Sequence, residues 1–227
     1  KFLDEHTLAL SNGRKLTAKN FVIATGSRVA SSPLPQLDKV GYITSDDAVA
    51  LKKLPKSLII LGGGAIACEF AQFFARFGVK VTQIQRSENL LKEFDADAGA
   101  EIKKVFQREG VRVFTGTKLL DAGRKGRLKT VTFEQDGKRF TVSAAEILFA
   151  LGRSPNTAAL ALSKAGVKTA ADGRVITDAR MQTSEPHIFA AGDCCGPHEI
   201  VHIAIRQGET AVHNLLKPKL PRKMHYR

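Results

Sequence analysis

The chain has 227 residues, 43% hydrophobic and 25% charged, which is globular usage and excludes a disordered or collagen-like polymer. Its length suffices for one large domain or two of ordinary size. Lys and Arg number 35 against 22 Asp and Glu, a formal charge of +13 without a single Trp; the cations are scattered, so the expectation is a generally basic surface and not a nucleic-acid footprint.

In chain order, Thr7 to Leu10 and Lys15 to Ala18 flank Ser11-Asn12-Gly13-Arg14, a hairpin signal. Asn20 to Ala24 reads as a buried strand stopped by Thr25-Gly26-Ser27, and Ser31 to Pro35 as a linker. Thr44 with Asp47 marks a capped helix start running to about Lys53. Ser57 to Leu61 is the clearest buried strand. Three glycines follow, then Ile66, Phe70, Phe73 and Phe77 at steps of four, three and four, which predicts one buried helix face ended by Gly78. Val79 to Gln85 is the next strand, and the whole has the size of a right-handed parallel crossover. A helix over Asp95 to Glu109 and a strand over Val111 to Phe114 come next. A second hairpin turns at Gln135-Asp136-Gly137-Lys138, and a buried strand covers Glu146 to Ala150. A helix near Ala158 to Ala165, a short strand at Val175-Ile176, the strand Ile188 to Ala191 and a helix over Ile200 to Leu216 complete the pattern. Phe21 to Ser27 and Ile147 to Arg153 are both buried strands ending in a residue and a glycine; two related domains ending alike, or coincidence of strand-plus-turn chemistry, both account for it.

Gly62-Gly63-Gly64-Ala65-Ile66-Ala67 fits G-x-G-x-x-G/A between a strand and a helix start. Gly62 permits the tight turn, Gly64 a close approach by a pyrophosphate, and Ala67 close packing of helix on strand. The free amides and dipole of the helix N-terminus then face phosphates. At the end of the second strand a carboxylate would take a ribose 2′-OH; here Gln85 stands there and Arg86 follows. Arg86 can pair a 2′-phosphate bidentately, with Lys92 a second cation, which favours NADP(H) over NAD(H). Asp193 follows Ala190-Ala191-Gly192 at a strand's carboxyl end, where ligands gather in open α/β sheets and a carboxylate accepts ribose or ribityl hydroxyls; a helix cap or turn is the alternative. Glu69 sits off the centre of the helix face. Cys194 and Cys195 are adjacent, Cys68 reads as core, and His187, His198, His202 and His213 have no metal-ligand spacing, so no metal is expected.

Ala24 to Ser27, Gly62 to Glu69, Gly152 to Asn156 and Ile188 to Asp193 together resemble the successive motifs of the flavin-dependent pyridine nucleotide–disulfide oxidoreductases, in that family's order and spacing. The resemblance implies an α/β fold in which a Rossmann-like nicotinamide domain with a β-meander, residues 45–151, is inserted into a flavin domain, residues 1–44 and 152–227. It implies that Thr25, Gly26 and Ser27 lie near FAD, that Asp193 holds the ribityl chain, and that Val201 and His202 present backbone groups to the isoalloxazine. It further implies that Gly62, Gly63, Gly64, Ala65, Ile66 and Glu69 cradle NADP (or NAD), with Gly152 near its nicotinamide half. Glu69 matches the glutamate that pairs with a flavin-side lysine, the catalytic role the resemblance assigns. Ala65 departs from the larger residue that often gates the nicotinamide pocket, and Gln85 from the acidic residue of NAD-using members.

The expectation is a hydride transfer from NAD(P)H to FAD and on to a disulfide or other small electron acceptor, in a homodimeric parent about twice this length. The 227 residues would then be the middle of that enzyme, inactive alone and weak in holding FAD. Lys1 opens the chain with neither Met nor signal-peptide pattern. No apolar run approaches the roughly 20 residues of a membrane span, and three cysteines make no disulfide framework. The expected setting is therefore cytoplasmic, without membrane or nucleic-acid partners. A non-catalytic dinucleotide-binding sensor is the alternative.

Overall fold

The structure is a computed structural model that describes residues 1–226; Arg227 lies outside the described residues. The chain divides into two compact units, Val29–Gly152 and the pair Lys1–Arg28 with Arg153–Arg227. No helix of either is long and apolar enough to cross a membrane.

The Val29–Gly152 unit has three layers. Strands β5 (Ser57–Leu61), β6 (Lys80–Ile84), β7 (Arg112–Phe114) and β11 (Glu146–Phe149) form a parallel sheet in the order β11-β5-β6-β7. Helices α3 (Ala65–Arg76) and α4 (Ala96–Arg108) cover one face, and an antiparallel meander of β8 (Lys118–Lys125), β9 (Leu128–Gln135) and β10 (Lys138–Ala144) covers the other. Strand alternation explains why β5 is apolar throughout. Leu58 and Ile60 pack with Ala67, Ala71, Phe74 and Phe106 of the helices, while Ile59 and Leu61 pack with Val131, Phe133 and Phe149. All four β5 residues are fully buried, at about 1.5–3 kcal/mol of transfer stabilisation each. Lys129 and Glu146 form an ion pair between the meander and β11.

The unit begins at Val29, not at Ser45 as expected from sequence. The linker reading of residues 31–35 is the cause: Pro35 opens helix α1 (Pro35–Val40), whose Leu37 and Val40 join the meander-side core. Arg124 also donates to the carbonyl of Val40 at 2.7 Å. Helix α2 (Ser45–Val49) carries the expected capping box, Thr44 and Asp47 bonding reciprocally, but stops at Val49 instead of near Lys53. Strand β8 had no sequence prediction; its basic end, Arg124-Lys125, leads through a Gly126-Arg127 turn into β9, with Gly126 at φ +62°.

The apolar stripe on α3 is a correction. Phe73 is 47% and Phe77 61% exposed, and Ile66 is exposed too, whereas Ala67, Cys68, Ala71 and Phe74 face the sheet. Small residues let the helix lie close on β5 and β6, where Phe74 is fully buried and Phe70 packs half-buried at the edge of the core. The rings pack on one another, Phe70 on the buried Phe74 and Phe73 on the exposed Phe77, with centroids 5.9 and 4.7 Å apart.

In the other unit, β1 (Thr7–Ala9) and β2 (Lys15–Thr17) form the first predicted hairpin. Strand β3 (Phe21–Ile23) pairs in parallel with β13 (Ile188–Ala190), and α5 (Val201–Leu216) packs Ala211 against Phe189, Met181 and Met224. Short strands β4 (Ser27–Val29) and β12 (Arg153–Pro155) follow the two glycine-ended strands. Residues 158–165 are two 3₁₀ turns, not the predicted helix, because Ala161 adopts φ +53° between them. Val175 makes an isolated bridge to Thr169 in place of a strand.

Candidate functional site

Within the Val29–Gly152 unit the site forms where β5 ends and α3 begins. Gly62 takes φ +123°, and a Cβ there would lie 2.2 Å from the Ala150 carbonyl oxygen; only glycine lets β5 and β11 close together at this point. Gly62 is held on both sides, its amide donating to Ile84 O at 2.9 Å and its carbonyl accepting from Gln83 Nε2 at 3.0 Å. Gly64 caps the helix with extended backbone and no side-chain cap bond. A Cβ on Gly64 would meet nothing within 4 Å, and Gly64, Ala65 and Ile66 are exposed. The first amides of α3 thus open onto free space at the positive end of the helix dipole, the arrangement that attracts phosphate oxygens. Glu69 is exposed on the next turn of the same helix.

Gln85, at the carboxyl end of β6, does not face that space. It is 8% exposed and folds over Gly63, where a Cβ would be 2.7 Å from its side chain; its Oε1 accepts the Arg86 amide at 3.1 Å. Arg86 is exposed and enters no ion pair among the described residues, whereas Lys92 pairs with Glu93 at 3.2 Å. Glu88 turns its carboxylate toward Gly116. Gly152, beyond β11, is exposed at φ +122° with open space where a Cβ would stand. Beneath the turn, burial pushes the Cys68 thiol above its ordinary range, in keeping with a core cysteine.

The second constellation lies within the other unit, at the carboxyl ends of β3 and β13. The Ser27 hydroxyl donates to Asp193 Oδ2 at 2.6 Å and accepts from Arg153 Nε at 2.6 Å, while Arg153 Nη2 donates to Ser27 O at 3.0 Å. The Asn156 amide donates to Gly26 O, and its Nδ2 to Thr25 O. Thr25 Oγ1 is buried without a partner, an orphaned polar atom that a bound polar ligand would satisfy. Gln207, fully buried on α5, accepts the Gly192 amide at 2.7 Å and donates to Gly196 O, which fixes the loop carrying Asp193. Val201 and His202 occupy the exposed first turn of α5. Cys194 is buried, with Sγ 3.2 Å from Ala191 O, and its hydrogen bond with Cys195, then burial, raise the Cys195 thiol. No group of three His, Cys, Asp or Glu converges as a metal site among the described residues.

Gly62 to Ile66 and Glu69 thus lie at the start of α3, Gln85 beside them with its side chain turned inward, and Ser27 and Asp193 are joined by a hydrogen bond at the second constellation. Gln83, Arg153 and Gln207 had no predicted role. Arg153 lay within the Gly152 to Asn156 motif, but neither Gln83 nor Gln207 left a signal in the sequence.

Residues 1–208 match the family model described as pyridine nucleotide-disulphide oxidoreductase. The chain belongs to this family. Among relatives within it, a mercuric reductase of Staphylococcus aureus is 36% identical over 215 residues, 95% of this chain and 39% of its own length. A dihydrolipoyl dehydrogenase of Mycobacterium leprae is 35% identical over 218 residues, 93% of this chain and 46% of its own. The HOCl-induced flavoprotein disulfide reductase RclA from Escherichia coli superposes with a TM-score of 0.87 at 27% identity, covering 98% of this chain and 50% of that one. The chain spans less than half of the two curated relatives. The family's α/β architecture matches the parallel-sheet-plus-meander unit and its flanking unit.

Proposed function

We propose that these residues are the nucleotide-handling core of an FAD-dependent NAD(P)H oxidoreductase that passes electrons to a disulfide or another small acceptor. The observation that carries the proposal is the bare, open N-terminus of α3, presented by a turn that only glycine can make. On this reading the amides after Gly64 bind the pyrophosphate of the nicotinamide nucleotide, and Gly152 leaves room for its nicotinamide half. Arg86 binds the adenosine 2′-phosphate, so NADP(H) is preferred; the inward turn of Gln85 and the pairing of Lys92 with Glu93 leave Arg86 as the cation for that role.

The second constellation suits FAD. The unpartnered Thr25 Oγ1, the polar cluster at Ser27 and Asp193, and the exposed first turn of α5 at Val201 and His202 offer bonds to a ribityl chain and an isoalloxazine edge. A flavin held there would supply two-electron transfer between reduced nicotinamide and the acceptor. Glu69, exposed on its helix, is available to hold a flavin-side lysine. The domain assignments follow: the Val29–Gly152 unit takes the nicotinamide nucleotide and the other takes FAD. The complete protein acts in the cytoplasm as a homodimer.

The test is anaerobic stopped-flow mixing of the full-length protein with NADPH and, separately, NADH. Bleaching of the visible flavin band, faster with NADPH, is expected. Absence of bleaching with both nucleotides overturns the proposal.

A further inference from the structure

We infer that Arg153 and Ser27 form a positioning relay that locks the Asp193 carboxylate as an acceptor for a ligand hydroxyl. The inference rests on reading this constellation as the FAD site, and deepens it. Its basis is the hydrogen-bond capacity of one hydroxyl. Ser27 Oγ has a single proton and two lone pairs. The proton goes to Asp193 Oδ2 at 2.6 Å and one lone pair takes the Arg153 Nε–H at 2.6 Å. Ser27 therefore has no donor left for a phosphate oxygen.

Asp193 Oδ2 is committed to Ser27, while Oδ1 has no partner among the described residues. What the cluster offers a ligand is thus acceptors: Asp193 Oδ1 and the last Ser27 lone pair. Acceptors pair with hydroxyl donors.

Arg153 is the residue that makes the arrangement rigid. Its guanidinium grips Ser27 twice, at the hydroxyl and, through Nη2, at the carbonyl at 3.0 Å. A hydroxyl rotor would otherwise be free to turn its proton away from Asp193. With Nε–H fixed on one lone pair, the proton is directed to the carboxylate. The three residues come from β4, β12 and the loop after β13, so the relay also ties three chain segments at the mouth of the site.

The test is a double-mutant cycle on FAD affinity in the full-length protein, read by flavin fluorescence quenching on reconstitution of the apoprotein. Arg153→Gln and Ser27→Ala are each expected to raise the FAD dissociation constant about tenfold, the loss of one good hydrogen bond to a charged group. The double variant is expected to be no weaker than either single, because Arg153 acts only through Ser27. Ser27→Thr, which keeps the hydroxyl, is expected to bind within about threefold of the parent. NADPH affinity by calorimetry serves as the folding control, and should be unchanged in every variant. Additive losses in the double variant, or no loss in Arg153→Gln, overturn the relay while FAD binding by the parent leaves the site assignment standing. A parent protein that binds no FAD overturns the site assignment, and the relay with it.

Discussion

Replacing Gly62 and Gly64 one at a time separates what the glycine turn does for the fold from what it does for a ligand. Alanine at Gly62 must adopt φ +123° and place its Cβ 2.2 Å from the Ala150 carbonyl oxygen, itself fixed because the Ala150 amide donates to Leu61 O at 2.9 Å. The dihedral strain costs about 1–3 kcal/mol, and prising β5 from β11 a further 1–3 kcal/mol, roughly. The expected loss is therefore about 4 kcal/mol, a fall in melting temperature of roughly 8–16 °C for a chain of this size. Alanine at Gly64 meets neither obstacle: φ is −77° and nothing lies within 4 Å. It should cost less than about 1 kcal/mol of stability. Its methyl would stand in the space in front of the helix amides, however, and should weaken NADPH binding about tenfold or more. Thermal melts by circular dichroism and calorimetric titration with NADPH measure the two effects. A Gly62→Ala protein as stable as its parent, or a Gly64→Ala protein with parental NADPH affinity, would refute the division of labour argued here.

Arg86→Ala should weaken NADPH more than NADH, by roughly 1–3 kcal/mol if a charge-assisted phosphate bond is lost; parallel titrations with equal losses would remove the NADP preference. Phe74→Ala should cost about 3–5 kcal/mol in urea denaturation, because its ring is wholly enclosed between helix and sheet. Phe77→Ser on the same helix should shift stability by no more than about 0.5 kcal/mol, and a larger cost would restore the aromatic stripe to the core. Hydrogen bonds from Thr44 hold the Asp47 carboxyl below its ordinary range. Its contribution is therefore complete above the unfolded carboxylate value and disappears as pH falls through the lowered folded value. The stability gap between the parent and Asp47→Asn should accordingly close on acidification below about pH 4, and a gap independent of pH would contradict the capping box.

Sequence alone determined the parts of this protein that depend on local chemistry. The strand–glycine–helix unit at Leu61 to Ala67 was legible because each residue's steric and hydrogen-bonding needs are met within a few positions of itself. The Thr44 capping box and the Asn-Gly and Asp-Gly hairpins are of the same kind. The tertiary structure decided which apolar face of α3 is buried. Period 3.6 allows several adjacent stripes, and the closeness of β5 and β6 admits Ala67 and Ala71 but not a row of phenylalanines. It decided the orientation of Gln85, whose inward turn depends on the bare Cα of Gly63 across a strand. It also brought Ser27, Arg153 and Asp193 together. Their separations along the chain, 126 and 166 residues from Ser27, carry no periodicity, so only the pairing of β3 with β13 and the return of the chain at Arg153 place one hydroxyl between a guanidinium and a carboxylate.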